Sequence, residues 1–480
     1  MKNQKYFLLF ILTFLFISCS KSLKNRSALE YLSAYMKDNK NVAVFGKINI
    51  KQLLKKADYQ NIPKVSVLLI SEMKQYENAI DLNQNIHFAL EGPFEKDGTP
   101  SNFLAFVKVK NMDSLSSKVA SLGLMIQEDG DLKFAQNKDV SIGIKDDLAV
   151  FISKKAKYEA KALLKEVFQK TENDLSEGKR DRILKENKDI VFGINMKNLY
   201  LSSNTDLAQL SPEKKKEFEA LVNDSYIKSS ISFEKGQAIF ESQNLFSTEL
   251  MNRMFLKEDA KASILDRLGK GNARVGLSVN LDINKMEAFL DDFAPDFKNK
   301  LIKANVKLQL LSSILGDKPL SNLLSGKLGM VMVGDMMRDG SFVPEANIYA
   351  GLGNKGKELS QILKLLFSEN KNTYDMKIDF HEKEITVSSG KTSEKKLNIP
   401  SFANEFGKKG FTAFINFDGM DLESMDLGAG AKALYAIQNI TIEVSNEGAK
   451  IIVRGKNPSI NILKQTIDVY VKDIEQTLGS

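Results

Sequence analysis

The sequence predicts an α+β fold of two tandem, duplicated domains, each a mostly antiparallel sheet backed by helices. The first observation is a strand that ends in asparagine and leads directly into a helix, a pattern that occurs four times. The second is the order of elements between these copies, in which runs of short strands joined by turn residues alternate with amphipathic helical stretches. Strands joined by tight turns pair antiparallel, and we expect helices to cover one face of each sheet.

The four copies are centred on Asn49, Asn195, Asn280 and Asn416. The residues before and after each asparagine are apolar, and these pairs are Ile48 and Ile50, Ile194 and Met196, Val279 and Leu281, and Ile415 and Phe417. A period of two is typical of a half-buried strand whose apolar side faces inward. Asparagine favours turns and helix starts because its side chain hydrogen-bonds nearby backbone, so we interpret the four as structural turns.

The spacing of the copies pairs them into two halves. Asn280 follows Asn49 by 231 residues, and Asn416 follows Asn195 by 221 residues. A tandem duplication is the simplest explanation of two such similar offsets. The predicted domains are residues 30–258 and 259–480, with a helical stretch over Thr248 to Leu268 as the join.

Residues 1–18 have the layout of a secretory signal peptide. Lys2 and Lys5 precede an apolar run from Phe7 to Ile17, which is shorter than the ~20 residues that a membrane span needs. Cys19 follows, where a lipid-transferring signal peptidase requires a thiol to carry diacylglycerol. The segment therefore resembles a lipobox, and it predicts a mature protein anchored by several acyl chains, palmitate among them, on Cys19. An ordinary signal peptide with a cysteine near the cut by chance is the alternative.

Residues 19–29 form a basic tether after the predicted cleavage site. Lys21, Lys24 and Arg26 lie in this segment, and no acidic residue occurs before Glu30. Such a tether favours contact with anionic headgroups. Acidic residues after the lipidated cysteine direct some lipoproteins outward, so the basic tether predicts an exported protein on the outer membrane that faces the periplasm.

The composition excludes several classes of protein. Cys19 is the only cysteine, so no intrachain disulfide can form, and 43% hydrophobic residues supply enough apolar side chains for two or three buried cores. The net charge is +7, but only eight of the 68 basic residues are arginine, and the lysines are interspersed with acids. Nucleic-acid surfaces concentrate basic residues on one face, so we expect no nucleic-acid partner.

Candidate chemistry in the sequence is sparse. The two histidines, His87 and His381, lack the spacing of a metal site, and we predict neither a metal nor a cofactor. The segment from Gly351 to Gly356 matches a dinucleotide fingerprint, but we interpret it as a strand–helix turn. Met330 and Met332 share a strand face between Gly329 and Gly334; this pattern favours a core strand over a copper(I) site.

The lipobox, the short polar tether and the strand and helix from Val42 to Ala57, with Asn49-Ile50-Lys51-Gln52-Leu53 at their junction, resemble a family of bacterial lipoproteins known as domain of unknown function 4836. The likeness covers most of the chain after Cys19. It implies an envelope lipoprotein with a repeated strand–helix plan, and it implies no site residues because the family has none assigned. Members often carry proline before the first strand, where this chain has Lys40-Asn41.

Three functional hypotheses follow. The leading one is a non-enzymatic, membrane-anchored envelope lipoprotein that binds a partner or ligand, or acts as a scaffold, on the periplasmic face. The alternatives are an anchored hydrolase with a non-standard site and a carrier of lipid or another hydrophobic ligand, which requires a large apolar cavity. The expected partners are the membrane, through the lipid anchor, and an envelope protein or a hydrophobic ligand.

Overall fold

The computed structural model describes the part of the chain that begins at Ser27, with several gaps. The described residues are 27–61, 76–95, 97–154, 160–169, 178–202, 210–303, 315–334, 337–338, 341–342, 345–368, 376–389, 396–420, 422 and 429–479. Helices make up 36% and strands 38% of the structure. The strand pairs among these residues are antiparallel except for a short parallel contact between Gly271 and Leu397. The predicted α+β class is confirmed.

The helices and strands are numbered in chain order. The helices are α1 (Ala28–Asp38), α2 (Ile50–Ala57), α3 (Met112–Ser121), α4 (Ala160–Gln169), α5 (Lys179–Lys185), α6 (Met196–Ser202), α7 (Pro212–Leu221), α8 (Thr248–Arg253), α9 (Ile283–Phe293), α10 (Pro295–Lys303), α11 (Pro319–Leu323), α12 (Gly356–Ser368) and α13 (Ile462–Gly479). The strands are β1 (Val42–Ile48), β2 (Ile86–Glu91), β3 (Asn102–Lys108), β4 (Gln127–Asp129), β5 (Leu132–Gln136), β6 (Val140–Lys145), β7 (Leu148–Lys154), β8 (Ile190–Asn195), β9 (Tyr226–Glu234), β10 (Gln237–Leu245), β11 (Gly271–Asn280), β12 (Leu324–Val333), β13 (Met337–Arg338), β14 (Ser341–Phe342), β15 (Glu345–Leu352), β16 (Met376–Phe380), β17 (Glu384–Ser389), β18 (Leu397–Asn398), β19 (Phe411–Asn416), β20 (Ile437–Ser445) and β21 (Gly448–Gly455).

The chain forms two compact units, and neither is one continuous stretch of sequence. The first contains the described residues before 206, the segment Asn223–Ala238 and the segment that begins at Ser459. The second contains the described residues from 210 to 222 and the segment Ile239–Pro458. The units therefore do not coincide with residues 30–258 and 259–480. The division into these two ranges describes the proposed duplication of the sequence and remains a prediction.

The first unit contains an antiparallel sheet in the order β4-β5-β6-β7-β3-β2-β1-β8-β9. On one face, Val107 and Ile144 pack with Leu54 of α2 and Leu115 of α3. On the other face, α1 contacts β2 and β3, and α4 contacts β6. Helices thus cover both faces instead of the expected single face, because successive residues of β3, Leu104 to Val107, are apolar and each face needs a cover.

The second unit contains an antiparallel sheet in the order β16-β17-β15-β12-β11-β19-β20-β21-β10. Among the described residues, the segments around Ile264 and Phe406 cover its buried face, and α9, α11 and α12 also contact its strands. Ile264 and Leu268 pack there with Phe406, Phe414 and other buried residues. The predicted helical join does not persist to Leu268, because α8 ends at Arg253 and the chain then follows the sheet.

The two units order seven of their strands alike. Numbered by their appearance in the chain within each unit, these strands lie in the sheet as 4-5-3-2-1-6-7, from β6 to β9 in the first unit and from β16 to β20 in the second. An eighth strand, β10 or β21, follows each set along the chain. The shared order suits a tandem duplication, which remains a prediction from the sequence.

Candidate functional site

The asparagines of the repeated turn lie at strand ends and act locally. Three of them accept a backbone hydrogen bond at Oδ1, and the pairs are Asn49 and Gln52 N at 3.0 Å, Asn195 and Asn198 N at 3.0 Å, and Asn416 and Asp418 N at 3.1 Å. Asn280 is buried at the end of β11, and Asp282 caps the helix that follows. These contacts are those of turns and helix caps.

The four asparagines are not brought together. Asn49 and Asn195 end two strands, β1 and β8, that pair antiparallel, so they lie at opposite ends of that pair. Asn280 and Asn416 stand in the same relation on β11 and β19. The repeated turn therefore forms no common site within either unit.

Cys19, the signal peptide of residues 1–18 and the tether up to Arg26 lie outside the described residues. Within the described part of the chain, no helix combines the length and the apolar character that crossing a membrane requires.

The two histidines belong to different units. His87 is buried on β2 of the first unit, whereas His381 is exposed in the turn after β16 of the second. Searched over the described residues, histidine, cysteine and carboxylate side chains form no group of three that could hold a metal ion.

The glycines of the dinucleotide-like turn lie in close contact with neighbouring segments of the protein, around Ser321 and Ser325. A Cβ added to Gly351 would lie 2.1 Å from the Ser325 hydroxyl oxygen, and one added to Gly353 would lie 2.2 Å from the Ser321 carbonyl oxygen. A phosphate-binding loop leaves this space for the ligand. Here the missing side chains admit neighbouring segments of the protein, as expected of a strand–helix turn.

A serine, a lysine and an aspartate converge in the second unit. Lys327 Nζ lies 2.9 Å from Asp259 Oδ2 and 2.8 Å from Ser263 Oγ, and the Ser263 hydroxyl donates to Asp259 Oδ2 at 2.5 Å. The hydrogen bonds from Ser263 and Lys327 hold the pKa of Asp259 well below its usual range. A general base works best with a pKa near the operating pH, so this carboxylate is a poor base for a serine nucleophile. The trio instead fixes the turn from 259 to 263.

The main functional feature of the second unit is a sheet surface, which we call the aliphatic face. Cross-strand partners place apolar side chains in three rows over eight strands, from β21 to β16. The Val275 row consists of Val453, Ile440, Ile415, Val275, Met332 and Ala346; the Leu277 row of Ile451, Ile442, Ala413, Leu277, Met330, Ile348, Val387 and Ile378; and the Val279 row of Ala449, Val444, Phe411, Val279, Leu328, Ala350, Ile385 and Phe380.

None of these 22 side chains is fully buried. Twenty are partly exposed, and Ile348 and Ile378 are 36% exposed. The opposite face of the same strands is the buried one, and it carries small and polar residues: Ser278 is 1% exposed, Thr412 2% and Thr441 4%. The buried face thus combines hydroxyl groups with apolar residues such as Val331 and Phe414, whereas the aliphatic face carries only apolar side chains and is less deeply buried.

Glycines on the buried face make room for large neighbouring side chains. A Cβ on Gly276 would lie 2.2 Å from the Phe414 ring, and one on Gly329 would lie 2.6 Å from the Ile264 side chain. Gly276 leaves room for the ring of its cross-strand partner Phe414, and Gly329 leaves room for Ile264 of a segment that covers this face. The aliphatic face is less completely buried, since all 22 of its side chains keep partial exposure.

The strand that carries Met330 and Met332 is a central strand of the sheet, but its two methionines are not its buried residues. Both are partly exposed in the aliphatic face, and the buried residues of β12 are Val331 and Val333. Both sides of this strand are apolar, so the period of two could not show which side is covered. A usable signal was present in neighbouring strands, where Ser278, Thr412 and Thr441 alternate with large aliphatic residues.

Comparisons with known proteins add little. No family model and no curated protein matches the chain. Among solved structures, crystal form IV of TP0453 is 9% identical, covers 44% of this chain and 79% of its own, and has a TM-score of 0.27. Crystal form I of TP0453 is 10% identical, covers 74% of this chain and 90% of its own, and has a TM-score of 0.20. TM-scores of this size do not establish a shared fold.

Proposed function

We propose that this chain is a lipid-anchored protein of the cell envelope that binds a hydrophobic ligand on the aliphatic face and catalyses no reaction. The observation that carries the proposal is the aliphatic face itself, a surface of 22 apolar side chains of which none is fully buried. Contiguous exposed apolar patches of more than a few hundred Å² are rare on soluble monomers and mark sites of interaction. The lipobox at Cys19 supports the second half of the proposal, an anchor that holds the site near a membrane.

The anchored hydrolase finds less support. Its best candidate among the described residues is the trio of Asp259, Ser263 and Lys327, and the three groups satisfy one another in a turn. Asp259, whose pKa lies well below its usual range, is a poor base for the Ser263 hydroxyl, and Lys327 contacts both groups. The aliphatic face needs no such chemistry to bind a ligand.

Binding is tested on the full chain with Cys19→Ser, so that no covalent lipid competes. A naphthalene-based fluorescent probe that brightens in apolar surroundings is titrated into this protein and into its Met330→Lys variant, which places a charge in the middle row. The same substitution at Met125, which is 82% exposed in the first unit, is the matched control. We expect Met330→Lys to weaken probe binding at least tenfold and Met125→Lys to leave it unchanged. Equal binding by all three proteins would refute the site.

Anchoring is tested separately in cells. Membrane fractionation of the native protein and of Cys19→Ala, with labelled palmitate in the medium, should show label and membrane association in the native protein alone. Protease added to intact cells distinguishes the two sides of the outer membrane. We expect protection, which is the result that a periplasm-facing anchor predicts, and degradation would indicate surface display.

A further inference from the structure

The aliphatic face offers a ligand hydrocarbon alone. Its 22 side chains carry no hydroxyl, amide or charged group, so a polar group of the ligand would lose its hydrogen bonds there at a cost of about 1–3 kcal/mol. Aromatic ligands gain from stacking on aromatic side chains. The two aromatic members, Phe411 and Phe380, both lie in the Val279 row, and the other two rows are aliphatic or methionine. This chemistry fits flexible alkyl chains better than flat aromatic molecules.

The size of the face argues against a protein partner. Across the strands, the face spans seven spaces between eight strands, or roughly 34 Å. Along each strand, its three rows span four residue steps, or about 14 Å. The area of the face is therefore on the order of 500 Å². A stable protein interface buries about 800 Å² on each partner. Such interfaces also draw their binding energy from tyrosine, tryptophan and arginine, and the face contains none of the three.

The same dimensions suit lipid chains. The hydrocarbon core of a bilayer, about 30 Å thick, holds two acyl chains end to end, so one chain is about 15 Å long. One chain therefore matches the depth of the face along the strands, and the width leaves room for a second chain beside it. We infer that the ligand of the aliphatic face is a lipid with two acyl chains, an inference that rests on the proposed function and names its ligand class.

The test measures displacement of the naphthalene probe from the Cys19→Ser chain. The competitors are fatty acids of increasing length, a phosphatidylcholine with one acyl chain, a short-chain phosphatidylcholine with two, and pyrene as a flat aromatic hydrocarbon. We expect the affinity of the fatty acids to rise about fourfold for each added methylene. We also expect the two-chain lipid to displace the probe at a concentration at least tenfold lower than the one-chain lipid or pyrene.

Two variants keep the outcome readable. Met330→Lys and Ile348→Glu should both abolish lipid displacement, and Ile348 tolerates a charge more easily because it is already 36% exposed. Circular dichroism checks that each variant is folded. If the probe binds at the face but pyrene displaces it as well as the two-chain lipid does, the acyl-chain inference fails and the proposed function stands. If the probe does not bind, both fail. A dimer that Ile348→Glu dissociates would replace the lipid with a second copy of the chain.

Discussion

Lys47 and His87 lie directly opposite each other on β1 and β2, and both side chains are buried in the first unit. Within the described residues, His87 Nδ1 has no hydrogen-bond partner. Burial and then the charge of Lys47 lower the pKa of His87 from 6.5 to about 4. Burial also lowers the pKa of Lys47, against the attraction of Glu186. The imidazole is therefore neutral at pH 7, and protonation would place a second cation beside Lys47.

This pair predicts a loss of stability in mild acid. The pKa of His87 is lower in the folded chain than in the unfolded chain, so the unfolded state binds more protons between pH 6.5 and pH 4, and stability falls as the pH drops through that window. The shift corresponds to about 3 kcal/mol. Urea unfolding at pH 7 and pH 4 should show that His87→Gln loses about 3 kcal/mol less than the native chain. Equal losses would contradict the neutral buried imidazole.

Asp189 links α2 and β9 of the first unit, so we expect its removal to lower the stability of the fold strongly. Its carboxylate accepts from Lys56 Nζ on α2 at 2.7 Å and from the N–H of Phe233 on β9 at 2.6 Å, and its side chain is 1% exposed. Removing one partner of a buried ion pair costs about 3–5 kcal/mol. Asp189→Ala should lower the free energy of unfolding by that amount. The control is Glu128→Ala, which breaks an exposed pair with Lys133 and should cost less than about 1 kcal/mol. Similar losses in both variants would count against the buried link.

Local sequence patterns predicted where strands and helices lie better than they predicted which face of each strand is buried. The apolar residues around Asn49 and Asn195 located β1, β8 and the helices after them, because a period of two and a capping residue act within a few positions. The same pattern located β11 and β19 but not their buried side. Which face is covered depends on segments distant in the chain, here those of Ile264 and Phe406.

The aliphatic face was missed for the same reason. Sequence reasoning predicted β12 as a core strand, and Val331 is buried, but the sequence did not show that Met330 lies on the less buried side of the same strand. The hydrophobic ligand stood among the hypotheses, but no sequence pattern showed where it would bind. Register across eight strands was needed to bring the rows together.

The glycine turn before α12 supplies a test of its structural role. Gly353→Ala would place a Cβ 2.2 Å from the Ser321 carbonyl oxygen, a backbone atom that cannot rotate away. We expect the free energy of unfolding to fall by about 2 kcal/mol or more, because the backbone must move to relieve this close contact. Gly123→Ala is the comparison, since its Cβ would meet nothing within 4 Å and only its φ of +74° opposes the change. Thermal unfolding of both variants checks the difference. A cost below about 0.5 kcal/mol for Gly353→Ala would contradict the close packing of this turn.

The two faces of the second-unit sheet predict different stability losses for alanine substitutions at two neighbouring residues of β12. Val331 is 0% exposed in the buried core, whereas Met330 is partly exposed in the aliphatic face. Val331→Ala removes buried methyl groups and leaves a cavity, so we expect it to lower the free energy of unfolding by about 2–3 kcal/mol. Met330→Ala removes the larger side chain but should cost less than Val331→Ala, because the Met330 side chain is already partly exposed in the folded chain. Urea unfolding of the lipid-free Cys19→Ser chain measures both.

Adding the two-chain lipid should then stabilise the Val331→Ala protein and stabilise the Met330→Ala protein less, since only Met330 touches the proposed ligand. A cost for Met330→Ala equal to that for Val331→Ala would mean that the aliphatic face is a closed core and not a binding surface.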